Sequence, residues 1–375
     1  MDRQDYFSST LCLTHNCNLN CVYCYQEHDK DARMSFETAK KVVQYIFGNI
    51  PKGKTAVEID LIGGEPLLEF ELIKQIFEYT ASLKPSVPYI FYATTNGTVL
   101  TAEMKAWFTE HKQKFRLGLS LDGDRETHNY NRSNSFDKID IDFFKKNWQM
   151  QSIKMTLSEY SLKNLSHNIK FLHSLGFPIS GVNEAEGNFD FDKDEYIKIL
   201  AGQLKDLSKF YVENETLELN QMLNKSLNLC EAKNRERKKW CGIGEGTIFF
   251  DVDGKRYPCS FITPMTFSHD EIALIQDVDY KDVNNFVDEA CYNNCYIYPI
   301  CPVCAGACFL INKSFKKRVK SRCRTQKLIA LFSADIQAKR IAKNPSLYDE
   351  RKMFHTINAI KKIKELYLNE FKEFI

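Results

Sequence analysis

Three cysteines within eight residues, Cys17-x3-Cys21-x2-Cys24 in the stretch CNLNCVYCYQ, carry the first obvious chemistry of the chain. Soft thiolates so spaced can converge on one iron–sulfur cluster if the loop wraps around it, and three protein ligands leave one iron open to a substrate or cofactor. Zinc competes for such thiolates, and a structural zinc site would want a fourth ligand, which His15 or His28 could supply. Nine of the 13 cysteines lie beyond Leu229, in a denser array. Cys241 is followed by Gly254-x4-Cys259, then by Cys291-x3-Cys295-x5-Cys301-x2-Cys304-x3-Cys308 and finally Cys323. An odd count fits a disulfide framework poorly, so metal or redox chemistry is the better reading.

The elements that hold these cysteines can be read from the pattern. EIDLI (58–62), YIFYA (89–93), RLGLSL (116–121), SIKMTL (152–157) and FPISGV (177–182) read as strands. Between them, SFETAKKVVQYIFGNI, FELIKQIFEYTASL, NLSHNIKFLHSLG and DKDEYIKILAGQLKDLSKFY repeat apolar residues at three and four and read as helices, with Ser35 as a helix start. Repeated βα units predict a parallel sheet, open or closed into a barrel. Residues 217–238 are polar and helix-prone, 239–325 are rich in Gly, Pro and Cys, and the lysine-rich remainder reads as helix with a solvated face.

Length and composition fit this picture. A chain of 375 residues buries a core without staples, and a net charge of +2 gives no reason to expect nucleic acid as a partner. The start lacks a signal-peptide pattern and no apolar run reaches membrane-spanning length, which predicts a cytoplasmic protein with no membrane partner.

With Tyr23 before its third cysteine, the first cluster resembles the signature of radical S-adenosylmethionine (radical SAM) enzymes. Leu61-Ile62-Gly63-Gly64-Glu65-Pro66 is similar to that family's GGEP motif at a strand end, and Leu119-Ser120-Leu121-Asp122-Gly123 with Arg132 is similar to its peptide-modifying branch. The resemblance implies a partial (β/α)6 TIM-like barrel over residues 1–216. It also implies a [4Fe-4S] cluster on Cys17, Cys21 and Cys24 whose open iron binds S-adenosylmethionine. Cofactor contacts would come from Tyr23, Gly63, Gly64, Glu65, Pro66, Thr95, Asn96, Ser120, Asp122 and Arg132, with Glu65 receiving the ammonium group and Arg132 offering a planar fork to the carboxylate. Thr94 ends the same strand as Thr95.

The later array resembles the SPASM extension of that family, giving a cysteine-rich iron–sulfur module over 239–325 after a linker or helix at 217–238, with a terminal helical segment at 326–375. In FFDVDGKRYPCSF an alternating strand, an Asp253-Gly254 turn and Cys259 fit its hairpin; a zinc ribbon is the plainer alternative. The resemblance implies two auxiliary [4Fe-4S] clusters, the outer on Cys291, Cys295, Cys301 and Cys323, the inner on Cys241 and Cys259 with Cys304 or Cys308. A first gap of x3 and the extra Cys304 depart from the pattern, and Cys230 is a further candidate.

The expected activity is maturation of a ribosomally made peptide through a thioether or carbon–carbon crosslink. Anaerobic sulfatase maturation, which makes formylglycine, and peptide epimerisation are alternatives of the same class; a non-catalytic metal-cluster adaptor is one of another. Asp251, Asp253 and Glu245 are candidate general bases. Cys12 reads most simply as a buried apolar residue, and Cys12 or Cys230 would be the hydrogen donor of an epimerase. Expected partners are a precursor peptide or protein, an electron donor such as flavodoxin or ferredoxin, and a separate leader-binding protein, since only sixteen residues precede Cys17.

Overall fold

Strand β1 (Tyr6–Thr14) is followed by α1 (Phe36–Gly48), β2 (Ala56–Gly63), α2 (Phe70–Ser82), β3 (Tyr89–Thr95), α3 (Ala102–His111) and β4 (Phe115–Leu119). Next come α4 (Arg125–Asn131), α5 (Ile141–Trp148), β5 (Ile153–Leu157), α6 (Glu159–Leu162), α7 (Leu165–Ser174), β6 (Ile179–Glu184) and α8 (Asp194–Glu213). The chain then forms β7 (Thr247–Phe250), β8 (Arg256–Tyr257), α9 (His269–Ile275), α10 (Glu289–Asn294), α11 (Ala305–Asn312), α12 (Cys323–Lys343) and α13 (Glu350–Tyr367). This computed structural model describes residues 5–187, 189–231, 236–244 and 247–375. Two units interleave along the chain: Met1–Leu121, His128–Ser152 and Cys241–Asn285 form the first, and Asp122–Thr127, Ile153–Trp240 and Phe286–Ile375 the second.

The sheet of the first unit has the order β4-β3-β2-β1-β7-β8. All neighbouring pairs are parallel except the β7–β8 hairpin. One helix face supplies each covering layer. In α1 the buried positions are Ala39, Val42, Val43 and Ile46, the spacing of a single stripe, and Ser35 caps the start by accepting the Thr38 N–H at 3.1 Å. Phe77 of α2 packs on Phe91 of β3, whose ring stacks on Phe115 of β4 at 5.6 Å. Each buried aromatic contributes roughly 1.5–3 kcal/mol. The alternation that buries Val57, Ile59 and Leu61 turns Glu58 and Asp60 to the other face, where Ser8 donates to Glu58.

In the second unit, β5 and β6 form a parallel pair. Residues 217–231 hold one 3₁₀ turn, Leu227–Glu231, and no α-helix. The solvated lysine face expected of the C-terminal segment holds for α13, where Lys352 and Lys361 are exposed. α12 differs, for Leu328 through Ala334 are all buried. Among the described residues, no helix is long and apolar enough to cross a membrane.

Candidate functional site

The parallel strands of the first unit deliver their C-terminal ends to the cysteine loop. Gly64 donates to the Thr14 carbonyl at 3.0 Å and Glu65 to the Asn16 carbonyl at 2.9 Å, so the turn after β2 is stitched to the chain leading into Cys17. A Cβ on Gly63 would sit 2.4 Å from Thr14 O, and one on Gly64 2.4 Å from Asn16 O and 2.8 Å from Cys17 Cβ. The two glycines therefore permit backbone to pass against the cysteine loop itself, besides any approach to a ligand. A Gly64→Ala variant is expected to lose about 1–3 kcal/mol and to hold iron poorly at the first loop, as thermal unfolding and iron analysis would read.

Glu65 is held by three hydrogen bonds. It is fully buried; Oε1 accepts from Leu67 N–H at 3.1 Å and Thr95 Oγ1 at 2.8 Å, and Oε2 from Asn96 N–H at 2.7 Å. Burial pushes its carboxyl up to about 7, against these donors and the charge of Arg132. Pro66 opens the following 3₁₀ turn. The Asn96 amide reaches Asn18 at 2.9 Å within the cysteine loop, and Ser120 N–H donates to Thr95 O at 3.0 Å. The Arg132 guanidinium lies over the Tyr23 ring at 5.4 Å and acts electrostatically on Cys17, Cys24 and Glu65. Burial raises the Cys17 thiol. It also acts upward on Cys24, but the hydrogen bond with His28, the Gln26 N–H and the charges of His28 and Arg132 bring that thiol below its usual value. The arrangement offers three thiols, a buried carboxylate and a guanidinium: a place for a thiolate-bound metal cluster beside a zwitterionic ligand. Asp122 lies in the second unit, where it accepts the Thr156 N–H of β5 at 3.0 Å.

The histidines divide. His28 stays with the loop, donating through Nδ1 to His15 O at 3.0 Å and placing Nε2 3.6 Å from Cys24 Sγ. His15 turns its ring to Asp251, 2.6 Å away, and is not directed at the three cysteines. Cys12, His15 and Asp251 bring their ligand atoms within 4.8 Å of one another, with Cys12 packed on Phe249 and Met265. Asp251 is thus a buried, engaged carboxylate, whereas Asp253 sits in the exposed hairpin turn paired with Lys255. Glu245 lies outside the described residues. The β7–β8 hairpin forms as expected, with Gly254 at φ +80° in its turn. Cys259 beyond it feels Cys241, and burial pushes its thiol up to about 11.

In the second unit, six cysteines (Cys291, Cys295, Cys301, Cys304, Cys308 and Cys323) line a cavity of about 460 Å³. Four of them are electrostatic neighbours: Cys301 feels Cys295 and Cys323, and Cys323 feels Cys291 and Cys295. Burial pushes Cys301 up to about 12 and Cys308 up to about 11, so as free thiols both stay protonated. Arg318, Lys320, Arg322 and Lys327 also line the cavity together with Glu186, and Arg322 is paired with Glu186 at 3.1 Å and Glu184 at 3.6 Å. Convergent soft ligands ringed by cations suit a dianionic four-thiolate cluster. Cys230 is buried in the same unit, where Tyr367 feels both it and Cys295. Lys320, Tyr367 and the half-buried Lys225 beside Cys301 escape sequence reading, because nothing in a lysine's spacing says which thiol it will meet.

Residues 11–144 match the radical SAM superfamily. A cysteine-type anaerobic sulfatase-maturating enzyme of Clostridium perfringens is 26% identical over 296 residues, 71% of this chain and 76% of that protein. The antilisterial bacteriocin subtilosin biosynthesis protein AlbA of Bacillus subtilis is 23% identical over 358 residues, 85% of this chain and 72% of that protein. The solved structure "Native anSMEcpe with bound AdoMet" superposes with a TM-score of 0.68 at 19% identity, over 89% of this chain and 100% of that one, and so shares the fold.

Proposed function

We propose, from the match of residues 11–144 to the radical SAM superfamily, that the chain is a radical SAM enzyme that matures a ribosomally made peptide by forming a thioether or carbon–carbon crosslink. When bound and reduced by one electron, a [4Fe-4S] cluster with S-adenosylmethionine would supply radical abstraction of hydrogen from an unactivated carbon. In this reading Cys17, Cys21 and Cys24 hold the cluster, Glu65 receives the ammonium group of the bound methionine moiety, and Arg132 meets its carboxylate, stiffened by the Tyr23 ring beneath it. Thr95 and Asn96 fix the Glu65 carboxylate. Cys291, Cys295, Cys301 and Cys323 hold an outer auxiliary cluster, and Cys241 and Cys259 contribute to an inner one. Asp251, buried beside His15, is better placed than Asp253 as a general base. The observation that carries the reading is the pairing of the glycine-stitched cysteine loop around Glu65 with a second, cation-ringed thiol cavity.

The similarity to a sulfatase-maturating enzyme supports a second reading, oxidation of a cysteine or serine to formylglycine. High-resolution mass spectrometry of a candidate peptide after anaerobic turnover separates the readings. A crosslink removes two hydrogens, one S–H and one C–H for a thioether or two C–H for a carbon–carbon bond. Formylglycine made from cysteine exchanges sulfur for oxygen and also loses two hydrogens; made from serine it loses two hydrogens alone and is told from a crosslink by capture of its aldehyde with a hydrazide; epimerisation leaves the mass unchanged. An unmodified peptide alongside continued 5′-deoxyadenosine release would sink the crosslinking assignment for that peptide. We place the enzyme in the cytoplasm, where its thiols, none of them in a disulfide, stay reduced, with a flavodoxin or ferredoxin as donor and a separate leader-binding protein.

A further inference from the structure

We infer that Lys320 and Tyr367 raise the reduction potential of the cluster held by Cys291, Cys295, Cys301 and Cys323, making it the auxiliary cluster of this chain that is reduced first. This rests on the reading above that the quartet carries a [4Fe-4S] cluster.

Reduction of such a cluster adds one electron, taking the core from 2+ to 1+ and the four-thiolate complex from −2 to −3. Hydrogen bonds to the ligand sulfurs and nearby positive charge stabilise the more negative state, so the potential rises. Lys320 Nζ lies 3.0 Å from Cys291 Sγ. Its direction is set by Asp288 Oδ2 at 3.4 Å, and Asp288 is itself held by the Cys291 and Arg318 N–H groups at 3.0 Å each. Asp288 offsets part of the lysine charge, and the side chain of Lys320 is 61% exposed, so solvent screens much of what remains. The direct N–H···S bond therefore carries the larger share of the effect.

Tyr367 reaches the same cavity from α13, lining it beside Cys295, with which it interacts electrostatically. Lys225, half-buried, adds a charge beside Cys301, shared with Glu184. The inner pair differs: among the described residues Cys259 is met by the backbone N–H groups of Ile262 and Phe261 and by Cys241, with no cation among its principal neighbours. Two clusters of one type in one chain thus have different surroundings, and the side-chain donors favour reducing the outer one.

The test is a potentiometric titration of the fully reconstituted protein monitored by electron paramagnetic resonance. The outer signal is the one lost in a Cys301→Ala/Cys323→Ala variant, and it is expected to appear at a higher potential than the inner one. Lys320→Met and Tyr367→Phe should each shift it to lower potential at unchanged iron content. Lys320→Arg, which keeps a donor, should restore most of the value, and Lys198→Met, an exposed lysine on α8, should leave it unmoved. An unchanged midpoint in both Lys320→Met and Tyr367→Phe overturns the inference while leaving the cluster assignment intact. If Cys301→Ala/Cys323→Ala loses no iron, the cluster assignment fails first and the inference with it.

Discussion

Replacing Cys17, Cys21 and Cys24 with Ala is expected to remove about four of about twelve irons from the anaerobically reconstituted protein, with matching sulfide, and to abolish 5′-deoxyadenosine formation from S-adenosylmethionine under dithionite. The structure makes this a test of chemistry and not of folding. Cys24 is exposed and Cys17 and Cys21 are half-buried, so none is a core residue whose truncation leaves a sealed cavity. The loop is held by its backbone: Val22 N–H donates to Asn131 O, Cys24 N–H to Cys21 O, and Glu65 N–H to Asn16 O. None of these bonds involves a cysteine side chain. Circular dichroism and the unfolding midpoint should thus stay near those of the parent while the first cluster disappears. A variant that kept all its iron would remove these cysteines from the ligand set. One that lost iron but still released 5′-deoxyadenosine would place the radical chemistry elsewhere in the chain.

Those cysteines were legible because the ligation proposed for them would fix residue type and spacing together, leaving a pattern that few other demands produce. The strands and helices around them were legible for a similar reason. The Val57, Ile59, Leu61 alternation and the Ala39, Val42, Val43, Ile46 stripe each report one buried face. Strand β1 was harder. In YFSSTLCLT the hydroxyls of Ser8, Ser9 and Thr10 dilute the apolar signal, although Leu11, Cys12 and Leu13 are fully buried and the strand lies between β2 and β7. Its pairing with β7, more than two hundred residues later, has no local signature. The same holds for His15. By position it belongs with the cysteines, yet its ring goes to Asp251, which the hairpin brings from across the sequence. α12 misled in the opposite sense, since its lysines and arginines suggest a solvated helix while the residues between them are buried on most sides. What spacing cannot carry is which distant group completes a contact, and that governs the surroundings of each thiol more than the choice of ligands.

Glu65 gives the sharpest dependence on pH. Burial raises its carboxyl from 4.5 to about 7 in the ligand-free protein, even with three donors and Arg132 acting the other way. If this carboxylate receives the ammonium group of S-adenosylmethionine, the ligand binds the ionised form, and proton release precedes or accompanies binding. Affinity measured by equilibrium dialysis should then tighten about tenfold between pH 6 and pH 8 and level off above that. Glu65→Gln should bind weakly with little change across the same range. The linkage to stability has the opposite sign. A carboxyl whose folded pKa lies above its unfolded one holds its proton more tightly when folded, so its stabilising contribution is full below about pH 4.5 and is lost as pH rises through about 7. The difference over that window is on the order of 3 kcal/mol, and the ligand-free enzyme should unfold more readily at pH 8 than at pH 6 by a margin that Glu65→Gln lacks. Saturating S-adenosylmethionine should recover the loss at pH 8, because its ammonium gives the buried charge a partner. Affinity that did not vary between pH 6 and pH 8 would mean that Glu65 is already ionised before the ligand arrives, or that the ammonium is received by another group.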